Sequence, residues 1–120
     1  MSNLIGLPTL DEHMWAELKD IMEEDFGLLL ETYVTDAVVR LASINDAIGV
    51  EDALALREAA HSFKGSCGNI GALRLANLAA NLEQQAPSAN WAAAQALHAQ
   101  MEVEYAQLLL LIQQELPALN

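Results

Sequence analysis

The chain has 120 residues, enough for one domain with its own hydrophobic core. Ala and Leu dominate and aromatic residues are few, which favours helices over sheets. The formal net charge of −12 argues against nucleic acid or an anionic membrane as a partner, and the single Cys67 excludes an internal disulfide bond.

The first half of the chain begins with a loosely ordered lead-in, predicted over residues 1–9, before a single helical domain predicted over residues 10–117. Asp11 can cap a first helix of about a dozen residues. Residues 25–27, Asp-Phe-Gly, indicate a corner. A long second helix follows, and Gly49 is expected to end it as a C-terminal cap.

Two shorter helices are predicted in the middle of the chain. The third runs from about residue 51 to residue 69, and Gly71 closes it. The fourth covers residues 72–85, because Pro87 prevents its continuation.

The fifth helix is predicted to start after a cap at Ser88 or Asn90 and to end at Leu116, with Pro117 following its end. Short connections make consecutive helices antiparallel neighbours. The expected fold class is therefore all-α: an up-down-up-down four-helix bundle formed by helices two to five, with an additional short N-terminal helix across one end.

The third helix carries the most informative segment of the chain. The positions within about sixty degrees of His61 on a helical wheel are Leu54, Arg57, Lys64, Gly65 and Gly68. The apolar positions of this helix lie on the opposite side. Each Gly in place of Ala costs a helix interior roughly 1 kcal/mol, so two glycines beside an outward histidine indicate a functional surface that another protein approaches.

The basic residues are distributed unevenly. Three of the five, Arg57, Lys64 and Arg74, lie in the segment 57–74, which contains one acid, Glu58. We expect an electropositive island there, suited to holding a transferable anion. The neutral imidazole of His61 is an available nucleophile at cellular pH. Lys64 could stabilise a phosphoryl group placed on the His61 ring.

The segment His61-Ser-Phe-Lys64-Gly65-Ser-Cys-Gly68-Asn-Ile-Gly71-Ala72 resembles the signature of histidine-containing phosphotransfer (HPt) domains, and among them the stand-alone bacterial members of the HptB type. The resemblance implies that His61 accepts the phosphoryl group on Nε2 and that Lys64 interacts with the phosphate. It further implies that Gly65 and Gly68 leave room for a receiver domain. Glu83 falls where the family carries a residue that hydrogen-bonds the other imidazole nitrogen, which would leave Nε2 free to attack.

The function implied by the resemblance is that of a carrier in a multistep phosphorelay. His61 would take a phosphoryl group from an aspartate on the receiver domain of a hybrid sensor kinase and deliver it to an aspartate of a response regulator. No second catalytic group or ATP-binding motif accompanies it, so we expect no autokinase activity. We also expect no intrinsic cofactor, because no metal-ligand spacing is present; Mg²⁺ would come from the partner receiver domain.

The partner-docking residues are predicted to be Leu54, Arg57, Gly65, Gly68 and Arg74. An alternative function stays open at this point, a non-transferring adaptor that binds receiver domains through the same helical face. The spacing Gly65-x-x-Gly68-x-x-Gly71 also invites a nucleotide-binding interpretation, but it lacks the preceding strand and the G-x-G spacing. We expect a cytoplasmic protein, since no charged leader followed by an apolar stretch opens the chain. A monomer is the expected oligomeric state.

Overall fold

The computed structural model describes the backbone of residues 6–119 and the side chains of residues 6–116. Most of this part of the chain is helical. The helices, in chain order, are α1 (Glu12–Met22), α2 (Asp25–Gly49), α3 (Ala53–Asn69), α4 (Leu73–Gln85) and α5 (Trp91–Leu119), with a 3₁₀ turn (Ala86–Ser88) between α4 and α5. The all-α prediction is confirmed. None of these helices is long and apolar enough to cross a membrane.

Helices α2 to α5 form a four-membered ring around one core. Helix α2 packs against α3 and α5, and α4 packs against the same two helices. Turns of a few residues connect α2 to α3 and α3 to α4, so these neighbours run antiparallel. The large side chains that fill the core with almost no exposure are Phe26, Leu30, Ile44, Leu56, Phe63, Ile70, Leu75, Leu78, Leu82, Met101, Leu108 and Ile112.

Helix α1 lies across the end of the bundle where α3 turns into α4. The Trp15 indole N–H donates to the Ile70 carbonyl, and the Asp11 backbone N–H donates to the Gly71 carbonyl at 2.8 Å. Trp15 also packs edge-on against Phe26, with ring centroids 5.4 Å apart. Gly71 adopts a φ of +72°, a conformation that side-chain-bearing residues rarely take.

Two helix starts differ from the sequence-based prediction. The corner before α2 lies at Glu23 and Glu24, not at residues 25–27, which form the first turn of α2. Burial of Phe26 against α1 outweighs the turn preference of Gly27. Helix α3 starts two residues later than predicted, because Asp52 acts as its N-cap.

The ends of α5 are also informative. Asn90, one of the two predicted caps, accepts a hydrogen bond from the Ala93 N–H at 3.1 Å. The predicted end at Leu116 is wrong, since the helix continues through Pro117 to Leu119. Proline has a φ close to the helical value, and in the last turn it removes one hydrogen bond only.

Candidate functional site

The orientation of His61 follows from the apolar side of α3. Leu56, Ala60, Phe63 and Cys67 are all buried in the core. These positions fix the inward side of the helix, so His61 stands on the outward side with 66% of its side chain exposed. The imidazole can therefore be reached by a large partner.

Glu83 on α4 holds the imidazole and the lysine of this surface together. Its Oε2 lies 2.8 Å from His61 Nδ1, and its Oε1 lies 2.7 Å from Lys64 Nζ. An ionised carboxylate only accepts hydrogen bonds, so Nδ1 is assigned the hydrogen and donates it. The other ring nitrogen, Nε2, then carries the free lone pair of the ring.

The charge on Glu83 is stabilised by the same two neighbours. The hydrogen bond from Lys64 and then that from His61 lower the pKa of Glu83 below its ordinary value. The carboxylate is therefore ionised at neutral pH. Its side chain is 18% exposed, so the packing of α4 on α3 places it beside the ring.

Gly65 and Gly68 extend the outward side of α3 beyond His61. A Cβ atom built on either glycine would meet nothing within 4 Å. Packing within the described part of the chain therefore does not explain their lack of side chains. With His61 and Lys64 they leave a helical strip on which the backbone is uncovered.

Leu54 and Arg57 extend the same strip toward the start of α3. Leu54 is 62% exposed, although it is a large apolar residue. A shallow depression beside the His61 ring is lined by Leu54, Arg57, Glu58, His61, Ser62 and Glu83. Within the described residues, no carboxylate lies within ion-pair distance of Arg57.

The structure does not bring Arg74 to this surface. Its Nε lies 3.2 Å from Glu104 Oε1 on α5, close enough for an ion pair but not aligned for a hydrogen bond. Arg74 thus faces α5, while Glu83 faces α3 from the same helix. The electropositive island expected from the sequence is correspondingly smaller, because Glu83 and Glu104 approach Lys64 and Arg74 from distant parts of the chain.

The remaining histidines and the cysteine have other surroundings. His13 on α1 pairs with Glu17 at 2.7 Å, and His98 on α5 is mostly buried. Burial raises the pKa of the Cys67 thiol to about 12, and the Tyr33 hydroxyl lies 3.2 Å from its sulfur. The thiolate is the reactive form of cysteine, and the raised pKa keeps Cys67 protonated at neutral pH. Cys67 is therefore an unreactive core residue.

Three features of the site were not anticipated from the sequence. The ion pair between Lys64 and Glu83 joins two helices and left no signal in the spacing. Glu58 and Ser62 line the depression, and a helical wheel could have placed both beside His61.

Among residues 6–116, no group of three or more His, Cys, Asp or Glu side chains could hold a metal ion.

Comparisons with known proteins find a family model and solved structures that match this chain. The family model described as "Hpt domain" matches residues 28–118. The chain is also similar to the crystal structure of histidine-containing phosphotransfer protein B (HptB) from Pseudomonas aeruginosa, with 41% sequence identity and a TM-score of 0.89. That similarity covers 93% of this chain and 97% of the other. The search of curated protein sequences finds no match.

Proposed function

Because the chain belongs to the Hpt domain family, we propose that His61 carries a phosphoryl group between the aspartates of two receiver domains. The donor would be the receiver domain of a hybrid sensor kinase, and the acceptor that of a response regulator. The family match and the Pseudomonas structure support the coarser activity, histidine phosphotransfer in a phosphorelay. The contact between Glu83 and His61 Nδ1 supports His61 as the carrier, because it leaves Nε2 as an exposed nucleophile.

The chemistry proposed for His61 requires few groups from this chain. The Nε2 lone pair attacks phosphorus, the N–P bond forms, and the P–O bond to the donor aspartate breaks with its electrons leaving on that carboxylate. Delivery to the second receiver domain reverses these steps. Lys64 would stabilise the added charge as a compact cation, and the receiver domains would supply Mg²⁺.

The docking surface proposed for both partners is the strip formed by Leu54, Arg57, Gly65 and Gly68. It spans about 21 Å along α3, at 1.5 Å per residue. This strip combines an exposed leucine, a guanidinium with no ion pair among the described residues, and uncovered backbone around a nucleophile. Such a surface suits weak and reversible contacts. Since both partners would use one strip, the carrier would act as a cytoplasmic monomer in successive one-to-one complexes.

A phosphotransfer profile tests the carrier function. The full chain is incubated briefly with each phosphorylated receiver domain of the source cell, and acid-labile label on the chain is measured. We expect label on the wild-type chain, none on His61→Gln and an unchanged amount on His13→Gln. His13 is the matched control, because it is an exposed imidazole paired with a carboxylate but lies on α1 and not on α3. Label that persists in His61→Gln would overturn the proposal.

The same profile separates the carrier from the non-transferring adaptor. An adaptor would bind receiver domains without acquiring label, and His61→Gln would leave its binding and its activity intact. A nucleophile held in one orientation by Glu83 is not needed for binding alone. The structure therefore gives no observation that favours the adaptor.

The docking surface is tested by a pair of arginine variants. Arg57→Ala should lower the rate of phosphoryl transfer roughly three- to tenfold, because a charge at the rim of an interface mainly affects association. Arg74→Ala is the matched control, since it removes a guanidinium held by Glu104 on the far side of α4. Equal losses of rate in the two variants would contradict the assigned surface.

A further inference from the structure

One carboxylate serves two cationic or potentially cationic groups at this site. Glu83 gives one oxygen to His61 Nδ1 and the other to Lys64 Nζ. The other charged groups near the ring are Arg57 and Glu58, which line the depression from α3. On the side of α3 that faces α2, the charged residues are Asp36 and Arg40 of α2. Arg40 Nε donates to Asp36 Oδ2 at 2.7 Å, and the Ser66 hydroxyl donates to the same oxygen. The 3₁₀ turn between α4 and α5 carries no titratable side chain.

The chemistry of the transfer gives this arrangement a specific consequence. When Nε2 of an imidazole that carries a hydrogen on Nδ1 forms a bond to phosphorus, the ring becomes an imidazolium. The ring then either keeps the Nδ1 proton as a cation or loses it to become neutral. A carboxylate hydrogen-bonded to Nδ1 stabilises the cation, as it does when a carboxylate orients a catalytic histidine.

We propose that Glu83 keeps the proton on Nδ1 throughout the transfer, so that phospho-His61 is held as an imidazolium paired with this carboxylate. The inference rests on the proposed function and deepens it. Protonated phosphohistidine releases neutral imidazole when the N–P bond breaks, whereas the unprotonated form would have to release an imidazolate anion. Glu83 thereby keeps the phosphoryl group transferable without any proton exchange with solvent in either direction.

Lys64 makes the strength of this effect depend on the state of His61. Before the transfer, Lys64 shares the Glu83 charge at 2.7 Å, which limits how strongly the carboxylate favours a proton on the ring. After the transfer, the phosphoryl group offers Lys64 a second anionic partner within one helical turn. As Lys64 moves toward the phosphate, more of the Glu83 charge acts on the imidazolium.

Nuclear magnetic resonance of the phosphorylated full-length chain tests this role of Glu83. The ¹⁵N-labelled chain is phosphorylated with phosphoramidate, and the His61 ring nitrogens are followed as the pH is raised. In Glu83→Gln, which keeps the size of the side chain and removes its charge, phospho-His61 should lose the Nδ1 proton about one pH unit lower than in the wild type. Glu102→Gln is the matched control, because Glu102 neighbours His98 on α5 and does not touch His61.

Each outcome of this experiment has a distinct meaning. The same pH of deprotonation in the wild type and in Glu83→Gln would overturn the inference and leave the carrier function standing. Label from a phosphorylated receiver domain that persists in His61→Gln, or the absence of label on the wild-type chain from every receiver domain, would overturn the carrier function itself. A shift of equal size in Glu102→Gln would reduce the effect to the net charge of the chain and would also overturn the inference.

Discussion

Glycines near the end of α3 have two different relations to the fold. At Gly65 and Gly68, an added Cβ atom would enter open space. At Gly71, an added Cβ atom would lie 3.1 Å from both Asp11 Cβ and Met14 Sδ, and the backbone has a positive φ. The fold requires glycine at the end of the bundle and does not require it beside His61. Gly71 thus allows close packing within the chain. We assign Gly65 and Gly68 to close contact with another molecule.

The largest effect of this difference is expected for stability. Gly71→Val places a β-branched side chain in the left-handed region and against α1, and should lower the free energy of unfolding by about 3 kcal/mol. Urea denaturation measures the loss. Gly49→Val is the control, because Gly49 ends α2 with nothing within 4 Å of its added Cβ atom. Equal stability of Gly71→Val and the wild type would break the comparison.

A long side chain at Gly68 should impair phosphoryl transfer without lowering the stability of the fold. Gly68→Gln is expected to leave the free energy of unfolding unchanged or slightly higher, because its Cβ atom would meet none of the described residues within 4 Å. The rate of phosphoryl transfer from a receiver domain should fall tenfold or more, equivalent to about 1.4 kcal/mol of lost interaction. Denaturation and transfer are measured on the same preparation. Unchanged transfer would remove the docking role of Gly68.

A smaller, stabilising effect is expected at Gly65. Gly65→Ala replaces glycine by the best helix former in the interior of α3 and should raise the free energy of unfolding by up to about 1 kcal/mol. The comparison is with Gly71→Ala, which should lower it. If both substitutions change stability in the same direction, the distinction between the two regions fails.

The sequence could predict the outward strip of α3 because one helical period places its residues relative to one another. Leu54, His61 and Gly68 share a face whatever the other helices do. The pairing of Arg74 with Glu104 could not be predicted in this way, since it depends on how α4 packs against α5. The contact of Lys64 with Glu83 depends on packing for the same reason.

Local turn preferences were the weaker guide to the fold. Gly27 suggested a corner, but Phe26 is buried against Trp15 and draws these residues into α2. Pro117 suggested a helix end, but α5 continues past it. In both places, a residue that commonly marks a helix terminus did not by itself determine where the helix begins or ends. The apolar period of the helices, which reports the core directly, located the elements themselves.

The smallest expected effect concerns Glu83 and stability. Because Lys64 and His61 lower the pKa of this carboxyl in the folded chain, its ionisation favours the folded state at pH values above the ordinary glutamate pKa. That contribution should be lost as the pH falls through the lowered pKa, where Glu83 is protonated in both the folded and the unfolded chain.

The difference in unfolding free energy between the wild type and Glu83→Gln, measured by urea denaturation, should therefore be small at neutral pH and vanish in acid. Glu102→Gln supplies the control, since Glu102 is an exposed carboxylate on α5 whose ion-pair neighbour is His98 rather than His61 or Lys64. A difference that stayed constant from neutral to acid pH would mean that the Glu83 charge does not stabilise the fold. A large difference would place the His61 surface among the regions that hold the bundle together, where the comparison with Gly71 says it does not belong.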